Sequence, residues 1–273
     1  MGKTALITGS SRGIGRSIAI YLGQCGYQVI VNGTNQGLID EVVKEVQRSG
    51  GVATGHCANV ADPLAVTAMV DRVAAKYGSI DVLIHSAGNL HDQKCIRMTD
   101  YEWQSVIDVH LQGAFYCTHR VLPYMTPYGG DILFMTSTAG LTGSVGQLNY
   151  SAAKAGMLGM VWTLAAELAR YQIRVNGISP AALTDMTRPV IEHVQEQSAR
   201  RKEPFPEFWQ VGDPDDVAKF VAALLAQPDP DLTGEILGVN GSKVTRWQKP
   251  APAFSQDGIE RFFAAWYRQK GTK

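Results

Sequence analysis

Short runs of consecutive apolar residues alternate along this chain with longer stretches in which apolar positions recur every three to four residues. The runs at 4–8, 28–32, 82–85, 132–136, 174–178 and 235–239 are rich in Val, Ile and Leu, and several are apolar throughout. Strands buried on both faces of a parallel sheet read this way. Residues 52–56 form a weaker strand candidate. Helical periodicity covers 14–24, 38–48, 63–77, 100–122, 152–170 and 214–225. Asp62 before Pro63 and Asp213 before Pro214 are good helix starts, an N-cap acceptor followed by a residue with its φ already set. The alternation predicts one α/β domain, a doubly wound parallel sheet of about seven strands with helices on both faces.

Two regions break the rhythm. Residues 184–210 are polar and aromatic, with Pro189, Pro204 and Pro206. Residues 244–273 follow the last strand as an extension, so the main domain is read as 1–243. Within the extension, Ile259, Phe262, Phe263 and Trp266 fall at i, i+3, i+4 and i+7, the stripe of an amphipathic helix. It is expected to dock on its own body or on a neighbouring subunit.

Composition narrows the class. The 273 residues are 45% hydrophobic and 18% charged, with 25 basic and 25 acidic side chains. That balance is globular and lacks the overall basic footprint of a nucleic-acid binder. No stretch reaches the ~18 apolar residues of a membrane span, and the N-terminus lacks a signal-peptide pattern, so a cytoplasmic protein is expected. Cys25, Cys57, Cys95 and Cys117 are scattered without metal-ligand spacing, and buried, reduced thiols are expected. His56, His91, His119 and His193 likewise have no partners at metal-ligand spacing. No metal is expected.

The candidate chemistry begins at Thr8-Gly9-Ser10-Ser11-Arg12-Gly13-Ile14-Gly15, which follows the first strand and opens the first helix. Glycines let the backbone turn tightly and approach a pyrophosphate, and the helix N-terminus offers free N–H groups to the anion. NAD binders carry an acid about 20 residues after the loop, at the end of the second strand. Here that stretch reads Val31-Asn32-Gly33-Thr34-Asn35, with no acid. Arg12 can face a 2′-phosphate, to which Thr34 and Asn35 can donate; guanidinium geometry suits phosphate. The reading is NADPH over NADH. The plain alternative makes Arg12 a solvated loop charge.

Tyr150 and Lys154 stand four apart at the start of an Ala-rich helical stretch, on one face. A nearby ammonium favours tyrosinate. Ser137 lies at the carboxyl end of the strand 132–136, where open α/β sheets bind ligands.

The loop and the ordered set Ser137, Tyr150 and Lys154 resemble the short-chain dehydrogenase/reductase family, over roughly residues 3–241. The resemblance implies a Rossmann-type fold and a ketoreductase of the 3-oxoacyl reductase kind, acting on a small carbonyl substrate. It implies Tyr150 as general acid, Ser137 orienting the carbonyl oxygen, and Lys154 binding the nicotinamide ribose and lowering the Tyr150 pKa. Gly9, Ser11, Arg12, Gly13, Ile14 and Gly15 would hold the cofactor phosphates. Asn59-Val60 is similar to the pair that contacts adenine, and Ala87-Gly88 to the end of a motif beside the ribose. Asn176 and Pro180 match an N-x-x-x-P stretch by the nicotinamide, with Thr184 at its carboxamide. Residues 184–210 take the place of a substrate lid, where Met186, Phe205, Phe208 and Trp209 either line a pocket or pack on the core. Homologues imply a homodimer or homotetramer.

Three positions depart from the pattern. His110, in Asp108-Val109-His110-Leu111, stands where the family carries a fourth catalytic residue, an Asn that holds a relay water. Either the imidazole serves that relay, or it is a packed histidine. His85-Ser86 replaces Asn-Asn, with little effect expected. Ala181 replaces Gly after Pro180. Alternatives to a ketoreductase are an NAD(P)-dependent alcohol dehydrogenase using the same residues, an enoyl reductase, and a catalytically weak, nucleotide-binding regulatory or scaffold protein.

Overall fold

The computed structural model describes residues 2–255 and 257–270. Strands β1 (Thr4–Thr8), β2 (Gln28–Gly33), β3 (Val52–Cys57), β4 (Val82–His85), β5 (Gly130–Met135), β6 (Ile173–Ala181), β7 (Ile236–Asn240) and β8 (Lys243–Trp247) form one sheet in the order β3-β2-β1-β4-β5-β6-β7-β8. Every neighbouring pair is parallel except β7 with β8. The order reverses between β1 and β4, which opens a crevice at the carboxyl ends of these central strands.

Helices α1 (Gly13–Gln24), α2 (Gln36–Arg48) and α9 (Pro214–Leu225) cover one face, and α3 (Pro63–Tyr77), α5 (Gly113–Met125) and α7 (Leu148–Leu168) the other. Alternate strand residues divide between two cores. Ala5, Ile7, Val29, Val31, Val82 and Ile84 pack with the first group. Leu6, Ile30, Leu83, Ile132 and Phe134 pack with the second. Both sides of each central strand are thus buried, which is why these strands read as unbroken apolar runs.

The helix starts follow local chemistry. Asp62 Oδ1 accepts from Leu64 N at 2.8 Å, and Asp213 with Asp216 closes a capping box at α9. Thr99 and Glu102 close another at α4 (Asp100–Ile107). The stretch 100–122, read as one helix, is interrupted: a π-helical turn, Asp108–Gln112, separates α4 from α5, and the Gly113 N–H reaches back to the Asp108 carbonyl. The single inserted residue leaves the hydrophobic spacing on either side intact, so periodicity does not register it.

The C-terminal region differs from expectation. Among the described residues the sheet has eight strands, against about seven expected, and the added strand β8 runs across the division placed at 243/244. Beyond it lies the expected amphipathic helix, α10 (Ile259–Lys270), where Phe254 stacks on Phe262 with ring centroids 5.1 Å apart. The cysteines also differ. Only Cys117 is buried; Cys25, Cys57 and Cys95 are exposed, because they follow α1, end β3 and open a short 3-10 turn, Cys95–Arg97. Among the described residues no His, Cys, Asp or Glu cluster could hold a metal, and no helix is long and apolar enough to cross a membrane.

Burial pushes the Cys117 thiol up to about 12, which suppresses the reactive thiolate. Iodoacetamide at about pH 8 is expected to alkylate Cys25, Cys57 and Cys95 in the folded protein and Cys117 only after denaturation. Peptide mass spectrometry reads the difference, and rapid native labelling of Cys117 would contradict this packing.

Candidate active site

The glycine loop bridges β1 and α1. Gly9 has φ +64°, and a Cβ there would lie 2.5 Å from Ala87 Cα, so only glycine lets the loop cross the end of β4 this closely. A Cβ on Gly15 would lie 2.6 Å from the Gly9 carbonyl oxygen. Buried Ser10 and Asn32 hold the loop to β2: Ser10 N donates to Asn32 O at 2.8 Å, and Asn32 N to Ser10 Oγ at 3.0 Å. The Asn32 amide donates to the carbonyls of His56 and Ala58, joining the ends of β2 and β3. In the sequence Asn32 marks only the absence of an acid; its turned-in side chain is a structural tie.

The first turn of α1 has no capping side chain and no acid, whereas α2, α3, α4 and α9 are capped by Asn35, Asp62, Thr99 and Asp213; α5, α7 and α8 (Arg188–Arg201) also begin without a side-chain cap. The free N–H groups and positive dipole end of α1 therefore suit an anion. Arg12 is exposed and, among the described residues, makes no ion pair. Asn35 Oδ1 accepts from Leu38 N, which leaves its amide N–H groups to donate outward. The Thr184 side chain stands against Gly13, so the segment after β6 meets the loop. Ala87 and Gly88 line the opposite side, while Asn59 and Val60 end the β3 side, with Asn59 exposed and Val60 buried.

Ser137, Tyr150 and Lys154 come together beyond the carboxyl end of β5. Ser137 caps the short helix α6 (Thr138–Thr142), accepting from Ala139 N. Tyr150 and Lys154 occupy the opening turns of α7. Buried Lys154 donates from Nζ to the Met135 carbonyl at the end of β5, and Nζ lies 5.3 Å from the Tyr150 ring centroid. Burial pulls the Lys154 pKa down to about 7. Burial also raises the Tyr150 pKa; Ser137 opposes this and the Asp92 carboxylate adds to it. Desolvation is thus the dominant influence on the phenol in the cofactor-free protein and keeps it protonated.

His110 lies buried in the π turn, its ring edge-on to Tyr150 with centroids 5.2 Å apart. Its Nε2 lies 2.8 Å from Asn89 O and 3.1 Å from Asn89 N. A Cβ on Gly88 would fall 2.5 Å from His110 Cε1, so Gly88 makes room for the ring. Asn149 is fully buried. It donates to the carbonyls of His91 and Glu102 and accepts from Tyr150 N, fixing the start of α7. No spacing rule flags such a tie; its one sequence signal is adjacency to Tyr150. In the segment after β6, α8 (Arg188–Arg201) precedes Phe205, Phe208 and Trp209. Phe208 and Met186 are exposed, so they are not core packing.

Residues 3–195 match the short chain dehydrogenase profile. The chain belongs to this family. The 3-oxoacyl-[acyl-carrier-protein] reductase FabG of Thermotoga maritima is 37% identical over 245 residues, 89% of this chain and 98% of that protein. The enzyme of the same name from Staphylococcus epidermidis is 39% identical over 244 residues, 88% of this chain and 98% of its own. Among solved structures, a short chain dehydrogenase from Mycobacterium avium superposes with a TM-score of 0.84 at 29% identity, covering 99% of this chain and 95% of that one. That coverage takes in the C-terminal extension. A variant of actinorhodin polyketide ketoreductase crystallised with NADPH gives a TM-score of 0.81 at 32% identity, over 88% of this chain and 96% of its own. This short chain dehydrogenase is accordingly an oxidoreductase of carbonyl and hydroxyl groups.

The buried lysine makes stability depend on pH. Its folded pKa, about 7, lies below its ordinary 10.5, so between these values the unfolded chain holds the additional proton. Stability from this group therefore rises with pH across that window, and its penalty is complete below about 7. In urea denaturation of cofactor-free protein, the advantage of Lys154→Met over wild type is expected to shrink as pH rises from about 7 towards 10.5. A difference that stays constant with pH would mean that the ammonium is solvated.

Proposed function

We propose that this short chain dehydrogenase reduces a ketone to a secondary alcohol with NADPH as hydride donor, on a 3-oxoacyl thioester or polyketide-like substrate. The observation that carries the reading is the gathering of Tyr150 with Ser137 and Lys154 at the carboxyl edge of the sheet, beside an uncapped helix N-terminus. A raised phenol pKa keeps the proton on the oxygen at neutral pH, the state a reduction requires of its general acid.

The residues fit the cofactor. The uncapped turn of α1 with Gly9, Ser11, Gly13, Ile14 and Gly15 receives the pyrophosphate. Arg12, Thr34 and Asn35 receive the 2′-phosphate, in a place where an acid would repel it. Asn59 and Val60 flank the adenine, Ala87 and Gly88 the adjoining ribose, and Pro180 and Thr184 the nicotinamide. When bound, the cofactor supplies the hydride. Tyr150 Oη gives its proton to the carbonyl oxygen, Ser137 Oγ orients that oxygen, and Lys154 holds the ribose hydroxyls from its anchor on Met135 O. His110, in the position of the family Asn, packs edge-on against Tyr150, and burial beside Lys154 holds its pKa well below the ordinary histidine value, so a neutral ring flanks the reacting phenol. The likeness to the two 3-oxoacyl-[acyl-carrier-protein] reductases and to the ketoreductase crystallised with NADPH supports this assignment.

Fluorescence titration and turnover on a panel of ketones and 3-oxoacyl thioesters test the reading. Tyr150→Phe is expected to keep NADPH affinity and lose roughly 10³-fold in kcat. Arg12→Ala is expected to weaken NADPH by about 10- to 100-fold and leave NADH unchanged, as for loss of a charge-assisted contact. Tighter binding of NADH by wild type would overturn the cofactor assignment. Tight NADPH binding without turnover on any ketone would favour the regulatory reading.

We also infer a homo-oligomer. The outer faces of α5 and α7 enclose an apolar cleft of about 360 Å³ lined by Phe115, Leu122, Met160 and Leu164, and exposed Phe115 stacks on His119. Sedimentation equilibrium is expected to give a dimer or tetramer that Met160→Glu dissociates. A monomeric wild type at micromolar concentration would rule this out.

A further inference from the structure

His85 ends β4 with its side chain fully buried. Its Nδ1 lies 3.1 Å from Thr8 Oγ1. That hydroxyl already accepts from the N–H groups of Ser86 and Ala87, each at 3.2 Å. A threonine hydroxyl has one proton to give, so it goes to His85 Nδ1. The tautomer follows: Nδ1 accepts and the ring proton sits on Nε2. This Nε2–H faces the carbonyls of Val109 and His110 in the π turn, without closing a well-formed hydrogen bond to either. Burial and the neighbouring Lys154 push the His85 pKa down to about 3, so the ring keeps this neutral form at ordinary pH.

The far side of the same turn carries His110. Its Nε2 meets both the N–H and the carbonyl of Asn89, and one ring nitrogen cannot donate and accept at once. Its Nδ1 is buried without a hydrogen-bond partner among the described residues. The ring is therefore weakly determined by its own hydrogen bonds, although it stands against Tyr150. What fixes it must include the backbone that carries it, and His85 is the buried donor aimed at that backbone.

We propose that His85 is a positioning residue: held by Thr8, it presents an Nε2–H to the carbonyls of the π turn and so sets the placement of His110 against Tyr150. This connects the end of β1 to the reacting tyrosine through two imidazoles and one irregular turn. It differs from the small effect that the sequence led us to expect for this position. Its kinetic consequence rests on the ketoreductase reading; its structural consequence does not.

The test compares His85→Phe, which keeps a ring and removes the N–H, with His85→Asn, which keeps a donor and an acceptor. In ¹⁵N-histidine-labelled, cofactor-free protein, long-range ¹H–¹⁵N spectra are expected to show His85 as the Nε2–H tautomer from about pH 5 to 8. The His110 ring signals are expected to move in His85→Phe and to return towards wild type in His85→Asn. In turnover, His85→Phe is expected to lower kcat roughly tenfold with KM and NADPH affinity within about twofold, and His85→Asn to recover most of it. His110→Asn added to His85→Phe is expected to cost no more than the worse single variant, as for residues acting through one element. An Nδ1–H tautomer at His85, or His110 signals unmoved by His85→Phe, would overturn the proposal whether or not any ketone is turned over. Multiplicative kinetic losses would also overturn it. If His85→Phe fails to fold, the wild-type tautomer and the His85→Asn spectra still decide. Absence of turnover in wild type, with the His85–His110 coupling seen, would instead count against the ketoreductase reading.

Discussion

Parallel pairing buried on both faces is the constraint on which this molecule depends. A parallel ladder leaves no short hairpin between neighbours, so each strand must be followed by a helix that returns over one face or the other. Every strand from β1 to β7 therefore ends at the same edge. Loops that are distant in sequence meet there: the glycine turn after β1, Ala87 and Gly88 after β4, Ser137 after β5 and Thr184 after β6. Leu6, Ile30, Leu83 and Phe134 on one side, and Ile7, Val31 and Ile84 on the other, exclude water from the ladder and keep those ends in place.

Against this rigid edge the chain sets groups whose charge states burial has altered. Lys154 is stripped of water and held by the Met135 carbonyl, and Tyr150 keeps its proton. Nearby, the first turn of α1 lacks the side-chain cap that several other helices have. Both features cost the empty protein something: an ammonium without solvent and N–H groups without an acceptor. A ligand bearing phosphate at one end and hydroxyl oxygens that accept at the other would relieve both.

Much of this was legible in the sequence because it is carried by local rules. Residues 4–8, 63–77, 82–85 and 214–225 begin and end where the structure places them, since apolar period and Asp-Pro starts act within a few residues. The glycine loop was legible for the same reason. Features fixed by tertiary contact were not. The π turn is a change of hydrogen-bond register inside a sequence that is equally helical either way. Asn32, Asn149 and His85 are polar residues whose roles are set by partners 23 to 77 positions distant, beyond any spacing rule. The cysteines were misjudged because average burial of a residue type says nothing about whether a given one ends a helix or a strand.

The antiparallel strand β8 has a consequence for solubility. Without it, β7, with its sequence Ile-Leu-Gly-Val-Asn, would present an open row of N–H and C=O groups at the margin of the sheet. An apolar strand left bare in this way is a template for uncontrolled chain-to-chain pairing. With β8 in place the outermost strand is Lys-Val-Thr-Arg-Trp, short and carrying two cations, one of them paired across to Glu235. A second molecule arriving at that margin meets like charge instead of a matching ladder. The C-terminal segment thereby acts as a guard against aggregation, quite apart from any part it has in catalysis.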